Sequence, residues 1–187
     1  MLKLGSVLPD FSLPDPVGNH ISIRKFDGAS AYVVLFICNH CPYVKLLRKE
    51  LVRFARDYQP REVVVLAINS NDYEAYPEDS PENMVREIET HQYCFPYLVD
   101  RDQTVAKAFH AACTPDIYVF DRDRELTYRG QFDESRPGNG VAPTGVDLRT
   151  AVDATLDKEP IPEDVQKPSI GCNIKWKQGN SPHYFTV

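Results

Sequence analysis

The chain has no long apolar run. The longest, Ala31–Cys38, is eight residues, against the roughly 20 that a helix needs to cross a bilayer, so it offers no helical membrane span. Positive charge is not in excess either. Lys and Arg total 21 against 27 Asp and Glu, a formal net charge of −6, which leaves no broad cationic face to neutralise phosphates or anionic lipid heads. Neither nucleic acid nor a membrane is an expected partner. The opening Met1 to Asp10 lacks the basic patch, extended apolar core and small-residue cleavage site of an export signal, which predicts a cytoplasmic protein. Cysteine is sparse and odd in number, with five residues at 38, 41, 94, 113 and 172. At 187 residues the chain is long enough to bury a core, so these five do not suit a secreted disulfide scaffold. Any disulfide here is expected to be chemical rather than structural.

What is present reads as an α/β domain. Ala31–Ile37 and Val63–Ile68 are apolar and β-branched without alternation, the pattern of parallel strands covered on both faces. Between them Val44, Leu47, Leu51, Phe54 and Tyr58 recur at helical spacing among Lys and Arg until Pro60 forbids continuation, giving a βαβ unit. Ser80-Pro81-Glu82 reads as the start of a second helix, and the acidic stretch Asp72–Asp79 before it as a solvated loop. Ile117–Phe120 and Leu126–Arg129 flank a polar turn and predict an antiparallel hairpin. A last helix follows around Leu148–Leu156. From Lys158 onward prolines punctuate a chain with few apolar residues, which predicts an extended tail (158–187) docked on the main domain (1–157).

The chemistry centres on Cys38-Asn39-His40-Cys41-Pro42. A Cys-x-x-Cys at the point where a buried strand gives way to a helix points to redox chemistry, because free N–H groups and the helix dipole there favour a thiolate. This reading takes Cys38 as the nucleophile and Cys41, one helical turn on, as the resolving thiol. His40 would hold a positive charge beside the thiolate, and Pro42 would start the helix. No second Cys-x-x-Cys completes a structural zinc site; a metal would need Cys38 and Cys41 with His40 or Cys113. No metal or other cofactor is required. Cys113 is expected near the redox pair, either packed beneath it or as a third thiol, and Cys172 could reach the site from the tail as an extra resolving thiol.

The sequence resembles the thioredoxin-like superfamily, in the redoxin branch that groups alkyl hydroperoxide reductase and thiol-specific antioxidant proteins with thioredoxin-like oxidoreductases. The resemblance is carried by Leu8-Pro9-Asp10-Phe11, the Cys38–Pro42 centre, Asn69-Ser70-Asn71-Asp72, Tyr76–Glu82, Thr114-Pro115-Asp116 and Ser169–Trp176, which look like a peroxiredoxin-like subgroup. It implies a thioredoxin-like fold, a central mixed β-sheet flanked by helices with an N-terminal extension. It also implies a Cys38 and Cys41 redox pair and Pro115 as a cis-proline shaping, with Asn39, Thr114 and Pro42, a groove for substrate. The activity implied is thiol–disulfide exchange with a protein or small-molecule disulfide, regenerated by a cellular dithiol donor.

Two alternatives accompany that reading. A peroxiredoxin-type peroxidase looks like Pro-x-x-x-Thr-x-x-Cys. Alignment places Cys41-Pro42 at its Cys-Pro but Cys38 at its Thr, and no Arg occurs in Cys113–Asp116, which removes hydrogen bonds that would polarise a peroxide. The other is a module whose thiols hold a metal or sense redox state. The buried acid of thioredoxin is replaced by Tyr32, so no base for the resolving thiol is evident in the sequence.

Overall fold

A computed structural model describes residues 2–185. The chain opens with a hairpin of β1 (Ser12–Pro14) and β2 (His20–Ser22), then enters β3 (Ala31–Phe36), α1 (Pro42–Tyr58) and β4 (Val63–Asn69). There follow α2 (Pro81–His91), β5 (Tyr97–Val99), α3 (Thr104–Ala108), β6 (Cys113–Thr114), β7 (Asp116–Asp121), β8 (Leu126–Gly130) and α4 (Val146–Asp157), and β9 (Cys172–Asn173) lies in the tail. The central sheet runs β5-β4-β3-β7-β8, with β3 parallel to β4 and antiparallel to β7. The expected strands, helices and hairpin all form.

The sheet divides the core by strand parity. On β3, Ala31, Val33 and Leu35 face a cluster built with Val44, Leu47, Leu51 and Phe54 of α1 and Leu148 and Val152 of α4. Tyr32, Val34 and Phe36 face the other side, where Leu8, Phe11, Ile23, Ala106 and Phe109 pack. Burial on both faces explains why β3 and β4 are apolar throughout rather than alternating.

The loop expected to be solvated is only partly so. Asp79, in a turn of 3-10 helix just before α2, is fully buried. It points inward because Ser80 caps α2 through the Asn83 N–H, with Pro81 in the first turn, and this pins the preceding residue against the β3–α1 corner.

The tail lies along the body. β9 pairs antiparallel with β6, Cys113 opposite Asn173 and Thr114 opposite Cys172, and Ile174 is buried in the second cluster. No helix of the described residues is long and apolar enough to cross a membrane.

Candidate active site

Strand β3 ends at Phe36, and helix α1 begins only at Pro42, so Ile37–Cys41 form the corner between them. Pro42 loses no helical hydrogen bond in the first turn. Cys41 is therefore the N-cap residue, with φ −62° and ψ 123°, and Cys38 sits three residues earlier in the turn. This reverses the order of acidity expected from sequence. The neighbouring Cys38 thiol, with smaller contributions from Val44, Cys172 and Thr114, favours the Cys41 thiolate and holds its pKa down at about 4 against the opposing effect of burial. Cys38 is pushed the other way by the same neighbour, by burial and by the Asp79 carboxylate. The sequence reading put Cys38 at the positive end of the helix; that place belongs to Cys41, because Pro42 sets the first turn.

Thr114 joins the two thiols. Its Oγ1 lies 3.4 Å from the Cys38 sulfur, and its carbonyl accepts from the protonated Cys41 thiol at 3.1 Å. The Thr114–Pro115 bond is cis, as the family resemblance implied. Cys113, next along β6, turns away: its thiol donates to the Pro115 carbonyl at 3.5 Å, and burial with the nearby Asp116 pushes its pKa up. Cys172 is brought to the site by the tail, packed against the cluster that holds Cys38 and Cys41.

A buried carboxylate, absent from the strand where Tyr32 stands, reaches the site from another direction. Asp79 accepts from the Asn39 N–H at 2.7 Å and from Asn71 Nδ2 at 2.7 Å, and shares a hydrogen bond with His40 Nδ1 at 2.8 Å. The Cys38 sulfur, a His40 ring nitrogen and an Asp79 oxygen all lie within 4.8 Å of one another. The trio is also the one set of three metal-capable side chains among the described residues. Both Asp79 oxygens are already engaged, which suits a carboxylate that orients His40 better than one that ligates an ion. The His40 ring, 23% exposed, stacks on Tyr76 at 5.9 Å between ring centroids and connects the buried pair to solvent.

Asn39, expected at the substrate groove, is used internally. Its Nδ2 donates to the Glu78 carbonyl at 2.9 Å, its Oδ1 accepts from Tyr97 at 3.0 Å and its carbonyl accepts from Arg48 at 2.7 Å. These bonds hold the corner's shape. Sequence reasoning missed Asp79, Asn71 and Tyr97. For Asp79 the available signal was its place directly before a capping Ser-Pro, and for Asn71 its place just past the end of a buried strand, where polar side chains face the site.

The alkyl hydroperoxide reductase and thiol-specific antioxidant (AhpC/TSA) family model matches residues 4–129. Among solved structures, a hypothetical protein from Sinorhizobium meliloti 1021 is 50% identical over 96% of this chain and 97% of that chain, with a TM-score of 0.93. An uncharacterized conserved protein from Geobacillus kaustophilus is 55% identical over 95% of this chain and 94% of that chain, with a TM-score of 0.90. The thioredoxin domain of a thiol-disulfide oxidoreductase from Bacteroides vulgatus shares the fold at 19% identity, covering 83% and 99% of the two chains with a TM-score of 0.64. No curated protein matches. With its sheet order, its cysteine corner and its cis-proline in place, the chain belongs to the AhpC/TSA family and has a thioredoxin-like fold.

Proposed function

We propose that this chain is a thiol–disulfide oxidoreductase acting on a protein or small-molecule disulfide, with Cys41 as the attacking thiolate and Cys38 as the resolving thiol. The reading rests on one observation above others: Cys41 caps the helix that begins at Pro42, with the second thiol, Cys38, against the same Thr114. The Cys41 thiolate attacks one substrate sulfur, forming a mixed disulfide and releasing the other sulfur as a thiolate. Cys38 then gives its proton to His40, held by Asp79, and attacks the Cys41 sulfur. The second substrate thiol leaves, and Cys38–Cys41 carries the oxidation until a cellular dithiol reduces it. Asp79 acts as a positioning residue for His40. Thr114 and Pro115 form the wall beside both thiols, and residues 1–157 supply this machinery, with 158–187 as a docked tail.

A strongly acidic Cys41 stabilises the dithiol form, which makes the disulfide oxidising. In a glutathione redox buffer the pair is expected nearer the roughly −120 mV of a strong oxidant than the roughly −270 mV of a reductant. Cys38→Ser should trap a substrate disulfide on Cys41, and Cys41→Ser should trap none. If Cys41→Ser still reduces substrate, or no disulfide forms at any poise, the assignment is wrong.

A further inference from the structure

We propose that the tail segment 169–173 is a built-in occupant of the substrate's place: it closes the edge of β6 beside the two thiols, and a disulfide-bearing polypeptide reaches Cys41 by displacing it and pairing with β6 in its stead. The inference gives the oxidoreductase reading a gate and a substrate class, and rests on that reading.

The docked form is closed. Cys38 is 1% exposed and Cys41 0%, whereas thiol exchange needs the attacking sulfur in contact with its target. Exchange at Cys41 therefore begins with a movement, and the tail is the removable cover. Thr114 touches both thiols, and the tail is built against Thr114. Cys172 stands opposite it in the β6–β9 register and packs against the cluster that holds both thiols. A Cβ on Gly171 would lie 2.0 Å from the Thr114 carbonyl oxygen and 3.1 Å from Pro115 Cδ, and that carbonyl is the one that accepts from the Cys41 thiol. Around Pro115, Ser169 and Ile170 of the tail meet Tyr43 and Phe132 at a cavity of about 10 Å³, no more than a single water needs.

What the tail contributes to β6 is a backbone. β6 and β9 pair with each other and with no other strand among the described residues, and the Ile174 N–H extends the pairing to the Ala112 carbonyl at 3.0 Å. Main-chain hydrogen bonds of this kind are open to any extended chain. A polypeptide can therefore take over the edge, whereas a small disulfide has no backbone with which to replace β9.

The tail's further anchors lie beyond β9. Gln103 donates to the Lys175 carbonyl at 2.9 Å, and Asn71 Oδ1 accepts from the Lys175 N–H at 2.8 Å. These bonds tether the chain while segment 169–173 leaves β6. The displacement makes and breaks no covalent bond. Once the edge is free, the Cys41 thiolate attacks one substrate sulfur and the other leaves as a thiolate, so capture is scaled by the fraction of molecules whose tail is off β6.

The test uses the full chain carrying Cys38→Ser, in which Cys41 is the single thiol on the tryptic peptide 26–45, so mass spectrometry reads what Cys41 has captured. The probes are a short unstructured peptide with one cysteine, held as its mixed disulfide with thionitrobenzoate, and the methyl mixed disulfide with the same leaving group. Attack by Cys41 retains the peptide or methyl sulfur and releases thionitrobenzoate. Gly171→Ala drives a methyl against the Thr114 carbonyl, and Ile174→Ser removes a buried anchor, so the tail is lifted by two independent routes. Trp176, the chain's single tryptophan, packs against the second cluster, and a red shift of its emission reports the lifting. Each variant is expected to raise capture of the peptide at least about 10-fold over Cys38→Ser alone. Free peptide 167–177 carrying Cys172→Ser should reverse the gain by filling β6 in trans, and the methyl probe should be captured more slowly than the peptide. Peptide capture within about 2-fold of Cys38→Ser alone in both variants overturns the gate. A free tail peptide without effect, or a methyl probe captured as fast as the peptide, overturns the polypeptide's place on β6. In those outcomes Cys41 still enters a mixed disulfide and the oxidoreductase reading stands; if Cys41 captures neither probe in any of the proteins, both fall.

Discussion

The corner that carries Cys38 and Cys41 and the tail that carries Cys172 meet at Thr114 and Pro115, yet they are held there by different forces. The corner hangs from β3 and α1, whose inward residues are buried between two layers of apolar side chains. Among its described residues the tail contributes one fully buried apolar side chain, Ile174. Ile161, Cys172 and Trp176 pack half-buried against the two clusters, and polar anchors add to them: the Gln131 N–H to the Lys167 carbonyl, Ser169 Oγ to the Gly130 carbonyl, and Gln103, which donates to the Lys175 carbonyl and accepts from the Lys177 N–H. Apolar burial brings roughly 1.5–3 kcal/mol for each large side chain, whereas a hydrogen bond exchanged with water is worth about 1 kcal/mol net. The tail is therefore expected to release at a lower free-energy cost than unfolding of the body.

The largest effect should come from the body. Leu35, fully buried in β3 within the cluster that also holds both corner thiols, is expected to cost about 3–4 kcal/mol of global stability when replaced by Ala, from lost transfer energy and the cavity left behind. Urea unfolding followed by far-UV circular dichroism checks this. A loss under about 1 kcal/mol would mean that the corner is not anchored by its apolar strand.

A smaller global effect with a larger local one is expected at the tail. Gly171→Ala places a methyl against the Thr114 carbonyl, and the backbone must yield. The expected result is release of residues near 158–177 with the body's stability changed by no more than about 1 kcal/mol. Brief trypsin treatment should then cut after Lys158 and Lys175 at least about 10-fold faster than in the unsubstituted chain, while sites in the body stay protected. Equal cutting in both proteins would show that the tail is bound as firmly as the sheet.

The same difference decides how much could be read from sequence. β3, β4 and α1 announce themselves because uninterrupted apolar runs and a helical repeat bounded by Pro42 and Pro60 admit few other structures. The βαβ unit and the cysteine pair at its corner follow from them, while the thioredoxin-like sheet is what the family resemblance implied. The order of acidity within the pair did not, since it turns on where α1 begins: a shift of three residues hands the helix N-terminus from Cys38 to Cys41. Asp79 was hidden for a related reason. It lies in a run of acidic residues that looks solvated, and only the capping of α2 by Ser80 turns it inward. The tail was legible as extended, but its two-residue strand and its dependence on Gln103 carry no periodicity at all. Long-range polar contacts of single residues leave no pattern along the chain.

The smallest effect should appear where body and tail touch. Asp116, the first residue of β7 after the cis-proline, is buried beside Ser169 of the tail. Its Oδ2 accepts from Tyr118 at 3.0 Å, while Oδ1 has no partner. Burial pushes its pKa from 3.8 up to about 6, so the folded state holds a proton that the unfolded chain releases. The stability this contributes is full below about pH 4, is lost as pH rises through about 6, and leaves an uncompensated carboxylate at neutral pH. Asp116→Asn removes that charge and keeps an oxygen for Tyr118. It is expected to stabilise the protein by roughly 2 kcal/mol at pH 8, with the gain vanishing at pH 4, in urea unfolding measured at both. A pH-independent difference would place the titration elsewhere. A gain that disappears when Gly171→Ala is added would show that the docked tail, rather than the sheet alone, keeps water from this carboxylate.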